Sequence, residues 1–121
     1  MPDLWRHTVS ELSALLERRE VKAEEVAESV VARVDAKEPE LNAFISRTGD
    51  AAVRHGRRVD EARAAGEQLN ALAGVPVGLK DIIATKGIRT TAGSKILENY
   101  RPPYNATVWS QLSDARMLLV G

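Results

Sequence analysis

The amino-acid sequence predicts an α/β fold in which helices come first and the strands of a sheet follow. Up to residue 65, apolar side chains recur at the three- and four-residue spacing of helices. From about Gly66 the charge thins, and glycine, proline and β-branched residues become frequent, which is typical of strands and turns. A length of 121 residues suits one small core. We therefore predict a helical segment over 1–65 and the start of an α/β core over 66–121.

The first two helices have clear sequence boundaries. Residues 8–19 begin with Thr8 and Glu11 at the spacing of a capping box, and one face then carries Val9, Leu12, Leu15 and Leu16. A second helix starts near Lys22 and is expected to end before Pro39, because the residue preceding proline disfavours helical backbone angles.

The third helix, predicted over 50–67, is polar on most faces and contains Gly56. A thin apolar stripe of Ala52, Val59 and Ala62 is the only part that suits burial. We therefore expect this helix to lie on the surface of the domain.

The second part of the sequence predicts short strands joined by turns. A strand is expected over 75–83, a turn at Lys86 and Gly87, and a second strand over 88–91. The segment "SKILENY" is typical of a helical turn.

The sequence ends with a helix and a strand. "ATVWSQLSDAR" predicts a helix capped by Asn105 or Thr107, and "MLLVG" predicts a strand whose continuous apolar run indicates burial on both faces. An α/β domain continues with a turn and a covering helix after such a strand, so the sequence is expected to be a partial domain.

Composition excludes several classes of protein. Lys plus Arg and Asp plus Glu each number 17, so no net charge attracts nucleic acid or an anionic membrane, and any nucleic-acid contact is expected through another subunit or domain. The absence of cysteine excludes disulfides and thiolate metal sites, and the two histidines show no ligand spacing. No apolar run is long enough for a membrane span or a leader peptide, so we expect a cytoplasmic protein.

Lys80 is the residue whose placement indicates chemistry, because it directly follows the apolar run "AGVPVGL". In an extended strand it shares a face with Pro76 and Gly78, whose small side chains leave room for a ligand or another backbone. Burial there favours a neutral lysine, which can act as a general base. The alternative is a structural lysine that reaches water or pairs with Asp81, and periodicity alone favours that role.

"GVPVGLKDIIATKGIRTTAGSKILENY" and "PPYNATV" closely resemble the amidase signature family and, within it, the glutaminase subunits of tRNA-dependent amidotransferases. "ELSALLERREVKAEEVAES" and "EPELNAFI" resemble the amino-terminal helices of the same subunits, so the resemblance covers the chain. It implies the amidase signature fold, a mixed β-sheet covered by helices. This chain would hold the amino-terminal helices and the first strands of that fold.

The resemblance also implies a mechanism based on a serine, a second serine after a cis peptide bond, and a lysine that matches Lys80. Such a subunit hydrolyses glutamine, and the ammonia reaches a B subunit that converts Glu-tRNA(Gln) to Gln-tRNA(Gln) with ATP and magnesium, in a heterotrimer with a C subunit. No cofactor is implied for this chain itself. Both serines follow the family's match to "MLLVG", so we expect the chain alone to be inactive. Ser94 matches a structural position.

Four features depart from the family or stay open. Ile82 stands where asparagine is common, and Asp114-Ala115-Arg116 stands where the family usually has a glycine before the strand. Lys22 replaces a typical capping serine, at an expected cost of about 1 kcal/mol. Arg89 and its neighbouring threonines fit a polar strand end better than a phosphate or carboxylate contact.

Two other functions remain open from the sequence. The chain is either a non-catalytic interaction module that binds other amidotransferase subunits, or part of an amidase that acts on a small amide other than glutamine.

Overall fold

A computed structural model describes residues 3–121 and confirms the predicted partial α/β domain, with helices first and strands after them. The two short 3₁₀ helices span Leu4–Arg6 and Lys95–Leu97. The α-helices and strands of the described residues are α1 (Val9–Glu17), α2 (Ala23–Leu41), α3 (Gly49–Ala64), β1 (Pro76–Val77), α4 (Thr107–Asp114) and β2 (Leu118–Leu119).

The two strands pair in parallel, with Pro76 opposite Leu118 and Val77 opposite Leu119. The N–H of Leu118 donates to the carbonyl of Val75 at 3.0 Å, and the N–H of Val120 donates to that of Val77 at 3.0 Å. Successive residues of a strand point to opposite faces. Because Leu118 and Leu119 are both buried, the expected burial of this strand on both faces is confirmed.

One apolar core joins the helices to the sheet. Leu16 and Val26 from the first two helices and Val59 from α3 pack with Val75 and Leu118, and all five side chains are at most 3% exposed. Helices and strands therefore stabilise each other, while the division at residue 66 stays a prediction about domain organisation.

The capping box at the start of α1 is confirmed. The N–H of Glu11 donates to Thr8 Oγ1 at 3.2 Å, and the N–H of Thr8 donates to Glu11 Oε2 at 2.7 Å. The second of these bonds lowers the pKa of Glu11, because it stabilises the ionised carboxylate. Leu12 and Leu16 lie in the core, while Val9 remains 51% exposed.

Helix α3 lies against the amino-terminal end of α2 through its apolar stripe. Ala52, Gly56 and Val59 are buried on the face toward α2. A Cβ atom on Gly56 would lie 2.9 Å from the carbonyl oxygen of Ala23, so the two backbones approach as closely as glycine allows. The opposite face of α3 is exposed, as the sequence predicts for a surface helix.

The amino-terminal cap of α2 comes from α3. Lys22 provides no side-chain cap, but the carboxylate of Asp60 accepts hydrogen bonds from the N–H groups of Ala23 at 2.7 Å and Glu24 at 3.0 Å. The carboxylate of Glu25 accepts from the N–H of Lys22 at 2.9 Å. The cost expected from the missing serine is therefore offset by a carboxylate remote in sequence.

Helix α2 does not end before Pro39, so that prediction is wrong. It continues to Leu41 and ends at Asn42, which adopts the left-handed conformation with φ 48° and donates to the carbonyl of Glu38 at 2.8 Å. Proline in the last turn removes one helical hydrogen bond, and the remaining bonds of this turn hold it in place.

The predictions of both strands in the central segment are wrong, since the first is too long and the second does not form. The strand predicted over 75–83 has only two residues, because β2 offers partners to Pro76 and Val77 alone before the chain turns at Lys80. Residues 88–91 form no strand: Thr90 donates to the carbonyl of Tyr100 at 3.0 Å in an irregular loop. The turn at Gly87 is confirmed, with φ 75°.

The carboxy-terminal helix and the helical turn in "SKILENY" are confirmed as α4 and the second 3₁₀ helix. The predicted cap of α4 is wrong, since its N-cap is Ala106 and the Asn105 side chain instead accepts from the N–H of Lys86 at 2.7 Å. Arg116, the last residue of the segment 114–116, adopts φ 62° before β2. None of the helices in residues 3–121 has the length and apolar character that crossing a membrane requires.

Replacing Gly56 by alanine is expected to lower the free energy of unfolding by about 1–3 kcal/mol, because the new methyl group meets the α2 backbone. Gly49→Ala is the matched control, since the nearest atoms to its Cβ belong to the Val31 side chain, with the methyl groups at 3.0 and 3.1 Å, and not to a backbone. Urea unfolding followed by circular dichroism measures both. A Gly56→Ala variant at least as stable as Gly49→Ala would contradict the close approach of α2 and α3.

Candidate active site

Lys80 lies just beyond the carboxyl end of β1. The preceding residue, Leu79, donates its N–H to the carbonyl of Gly121 at 2.8 Å, beyond the end of β2. Lys80 then begins a tight turn that Ile83 closes by donating to the Lys80 carbonyl at 3.0 Å. In α/β sheets the region outside the carboxyl ends of parallel strands is the usual place for ligands.

The expectation that Lys80 is buried is wrong for this chain, because its side chain is exposed. The strand ends at Val77, so Lys80 does not continue a strand face shared with Pro76 and Gly78. Within residues 3–121, no carboxylate oxygen lies within 4.0 Å of its ammonium. The ion pair with Asp81, one form of the structural alternative, is therefore not formed, while the exposed side chain agrees with the other form, a lysine that reaches water.

Lys80 lines a cavity of about 240 Å³ at the ends of both strands. The ring of Phe44 covers these ends: a Cβ atom on Gly121 would collide with it, and one on Gly78 would lie 3.6 Å from Phe44 Cε1. A Gly121 Cβ would also lie 2.8 Å from the carbonyl oxygen of Ser46. Glycine at the end of β2 thus allows the aromatic wall to approach the backbone.

Glu38 holds this wall in place from the last turn of α2. Its carboxylate accepts hydrogen bonds from the N–H of Ala43 and, at 3.0 Å, from the N–H of Phe44. Farther along, Thr48 donates its N–H to the carbonyl of Val120 at 3.1 Å and its hydroxyl to that of Leu119 at 2.6 Å. The connector between α2 and α3 is therefore fixed at both ends.

Two polar atoms in the cavity lining lack partners within the described part of the chain. They are Ser46 Oγ and Arg89 Nε, both buried. With Lys80 they provide a hydroxyl group and two cationic groups, which suit a small ligand that carries a carboxylate or carbonyl oxygen. Sequence reasoning missed Ser46, because nothing in "LNAFIS" indicates that this connector returns to the strand ends.

Asp81 connects the turn of Lys80 to the "TTAGS" loop. Its Oδ2 accepts from the N–H of Thr91 at 3.1 Å and from the Thr91 hydroxyl, while its carbonyl accepts from the N–H of Ala92 at 2.8 Å. Ser94 has a local structural contact, since its Oγ accepts from the N–H of Ile96 at 3.3 Å. Ser94 is not among the residues that line the cavity.

The histidines lie on the surface, as the sequence predicts. Partial burial lowers the pKa of His55, and the charges of Arg58 and Arg54 lower it further. Among residues 3–121 no group of three or more His, Asp or Glu side chains is arranged to hold a metal ion.

Comparison with known proteins gives consistent matches. The Amidase family model matches residues 25–121. The A subunit of glutamyl-tRNA(Gln) amidotransferase from Acidothermus cellulolyticus is 47% identical over 121 residues, covering 100% of this chain and 24% of the relative. The protein of the same name from Chloroflexus aggregans is 45% identical, covering 100% of this chain and 25% of its own length. The chain thus spans about a quarter of these curated relatives.

A solved structure shares the fold as well. The native peptide amidase of Stenotrophomonas maltophilia superimposes with a TM-score of 0.89 at 29% sequence identity, over 99% of this chain and 25% of the other. The arrangement of α1 to α4 around the two parallel strands therefore occurs in an enzyme of that name.

Replacing Glu38 by alanine is expected to lower the free energy of unfolding by about 1.5–3 kcal/mol, because two backbone N–H groups lose a charged acceptor. Glu40→Ala is the matched control, since Glu40 is exposed and its carboxylate forms a surface ion pair with Lys37 at 3.6 Å. Urea unfolding measures both variants. Equal stability of the two would show that Glu38 does not hold the Phe44 wall.

Proposed function

The chain belongs to the amidase signature family, and on this basis we propose that it is the amino-terminal part of the glutaminase component of a tRNA-dependent amidotransferase. The carrying observation is Lys80, placed beyond the carboxyl end of β1 beside a cavity at the sheet edge. Curated relatives at 42–47% identity, each named as the A subunit of glutamyl-tRNA(Gln) amidotransferase, support the choice within the family.

In this proposal Lys80 is the general base. It accepts a proton from the nucleophilic serine through a second serine that follows a cis peptide bond, and the nucleophile attacks the amide carbon of glutamine. Backbone N–H groups stabilise the oxyanion, and the C–N bond breaks as the leaving nitrogen takes up the proton. Water then hydrolyses the acyl-enzyme to glutamate. Both serines belong to the part of the full-length protein that follows this chain.

The exposure of Lys80 in this chain agrees with a site whose lysine and serines come from different parts of the full-length protein. A lysine can accept a proton only in its neutral form, and removal from water favours the neutral form. The chain provides one side of the cavity, with Phe44 as a wall and small residues at the strand ends. We propose that the rest of the full-length protein closes the other side, bringing the serines to Lys80 and excluding water.

The partners follow from the same assignment. Ammonia would pass to a B subunit, which activates Glu-tRNA(Gln) with ATP and magnesium, and a C subunit would complete a cytoplasmic heterotrimer. The balanced charge of 17 basic and 17 acidic residues is in keeping with tRNA contacts through the partner. No cofactor is assigned to this chain.

A second candidate is an amidase with another small amide as substrate. The observation that favours it is the close structural similarity to a peptide amidase, with a TM-score of 0.89. Release of ammonia from alkyl or aryl amides, without any requirement for a partner protein, would support this second candidate over glutamine hydrolysis.

The test uses the assembled enzyme, meaning a full-length glutaminase component that contains this chain, purified with its B and C subunits. Lys80→Ala is expected to lower kcat for ammonia release from glutamine by about 10²–10⁴-fold, because the general base is lost. Lys86→Ala is the matched control, since Lys86 is also exposed but does not line the cavity.

Near-normal glutaminase activity of Lys80→Ala would refute the assignment of the base. If the unsubstituted assembly binds its partners but releases no ammonia, the non-catalytic interaction module is the better interpretation.

A further inference from the structure

We propose that Asp81 and Thr91 together are positioning residues that hold Lys80 in its reactive place; this inference rests on the proposed function. The geometry behind it is a two-point attachment of the backbone around Lys80. On one side Leu79 is bonded to Gly121, and on the other Asp81 is bonded to Thr91 and Ala92.

Both attachments lead into fixed parts of the fold. Gly121 follows β2, whose residues Leu118 and Leu119 are buried in the core. Thr91 is 2% exposed, so it is almost completely enclosed. With both neighbours of Lys80 tied to such positions, the path of its own backbone is defined, and the side chain projects from a set point.

The "TTAGS" loop is shaped around the Thr91 hydroxyl. This hydroxyl donates to Asp81 and also accepts the N–H of Gly93 at 3.1 Å. The chain can return in this way because Ala92 and Gly93 both adopt left-handed conformations, with φ 52° and 69°. The Thr91 carbonyl accepts from the N–H of Ser94 at 2.9 Å, which closes the turn.

Asp81 acts through the backbone and not as a counter-ion. Its Oδ2 accepts both bonds from Thr91, and Lys80 forms no ion pair with it in the described part of the chain. The arrangement therefore depends on an oxygen acceptor at residue 81 and a hydroxyl at residue 91, more than on the charge of the carboxylate.

The first measurement is the kcat and KM for glutamine of the assembled enzyme carrying Thr91→Val. The loss of the hydroxyl removes one of the three hydrogen bonds between Asp81 and residues 91 and 92 and so loosens the Lys80 turn. The value of kcat is expected to fall by about 10- to 100-fold, because small displacements of a catalytic group are costly. KM is expected to change by less than about twofold, since Thr91 does not line the cavity and its hydroxyl is already bonded to Asp81. Thr91→Ser keeps the hydroxyl and is expected to restore kcat.

The second measurement separates geometry from charge at residue 81. Asp81→Ala removes the acceptor and is expected to reproduce the loss of kcat seen in Thr91→Val. Asp81→Asn keeps one oxygen that can accept both Thr91 bonds, so it is expected to recover most of that loss. If Asp81→Asn is as impaired as Asp81→Ala while Thr91→Val is active, charge and not position explains Asp81, and the inference is overturned.

Thr8→Val is the control for a general loss of stability. It makes the same chemical change at the cap of α1, at a residue that does not line the cavity, and is expected to lower the Tm without changing kcat. If Thr91→Val has the same kcat as the unsubstituted enzyme while Lys80→Ala is inactive, the positioning role is refuted and the proposed function stands. Full activity of Lys80→Ala refutes the proposed function itself.

Discussion

The parallel pairing of β1 with β2 is the constraint on which the candidate site depends. The strands lie about 40 residues apart in the sequence, and each contributes only two residues to the pair. Their carboxyl ends therefore meet at one edge, where Gly121 receives the hydrogen bond from Leu79. This register fixes the position of Lys80 relative to the Phe44 wall, because the two residues belong to segments that do not otherwise share secondary structure.

Local signals in the sequence predicted the elements that depend on neighbouring residues. The capping box of Thr8 and Glu11 is one example, and the buried strand in "MLLVG" is another, because both patterns are complete within a few residues. The strand predicted over 75–83 was wrong in length because an apolar run indicates burial but not how many residues find a strand partner. The continuation of α2 past Pro39 depends on Asn42 and Glu38, whose contacts the local pattern does not specify.

The sequence predicted the catalytic candidate of the site but not the residues that surround it. Lys80 was identified from its position after an apolar run and from the family resemblance, whereas Phe44 and Ser46 come from a connector with no functional pattern of its own, and the sequence favoured a polar strand end for Arg89. They meet through tertiary contacts, among them the Glu38 hydrogen bond to the Phe44 backbone. The exposure of Lys80 likewise depends on the end of β1 at Val77, which strand periodicity does not specify.

The carboxylate that caps α2 is synthesised 36 residues after the last N–H group it receives, since Asp60 accepts from Glu24. During translation the N–H groups in the first turn of α2 therefore receive this acceptor only after α3 has been synthesised. Gly56, one turn before Asp60, permits the same contact. The two helices are thus expected to become stable together as a hairpin, with native protection of the α2 amides from hydrogen exchange arising only after α3 has docked.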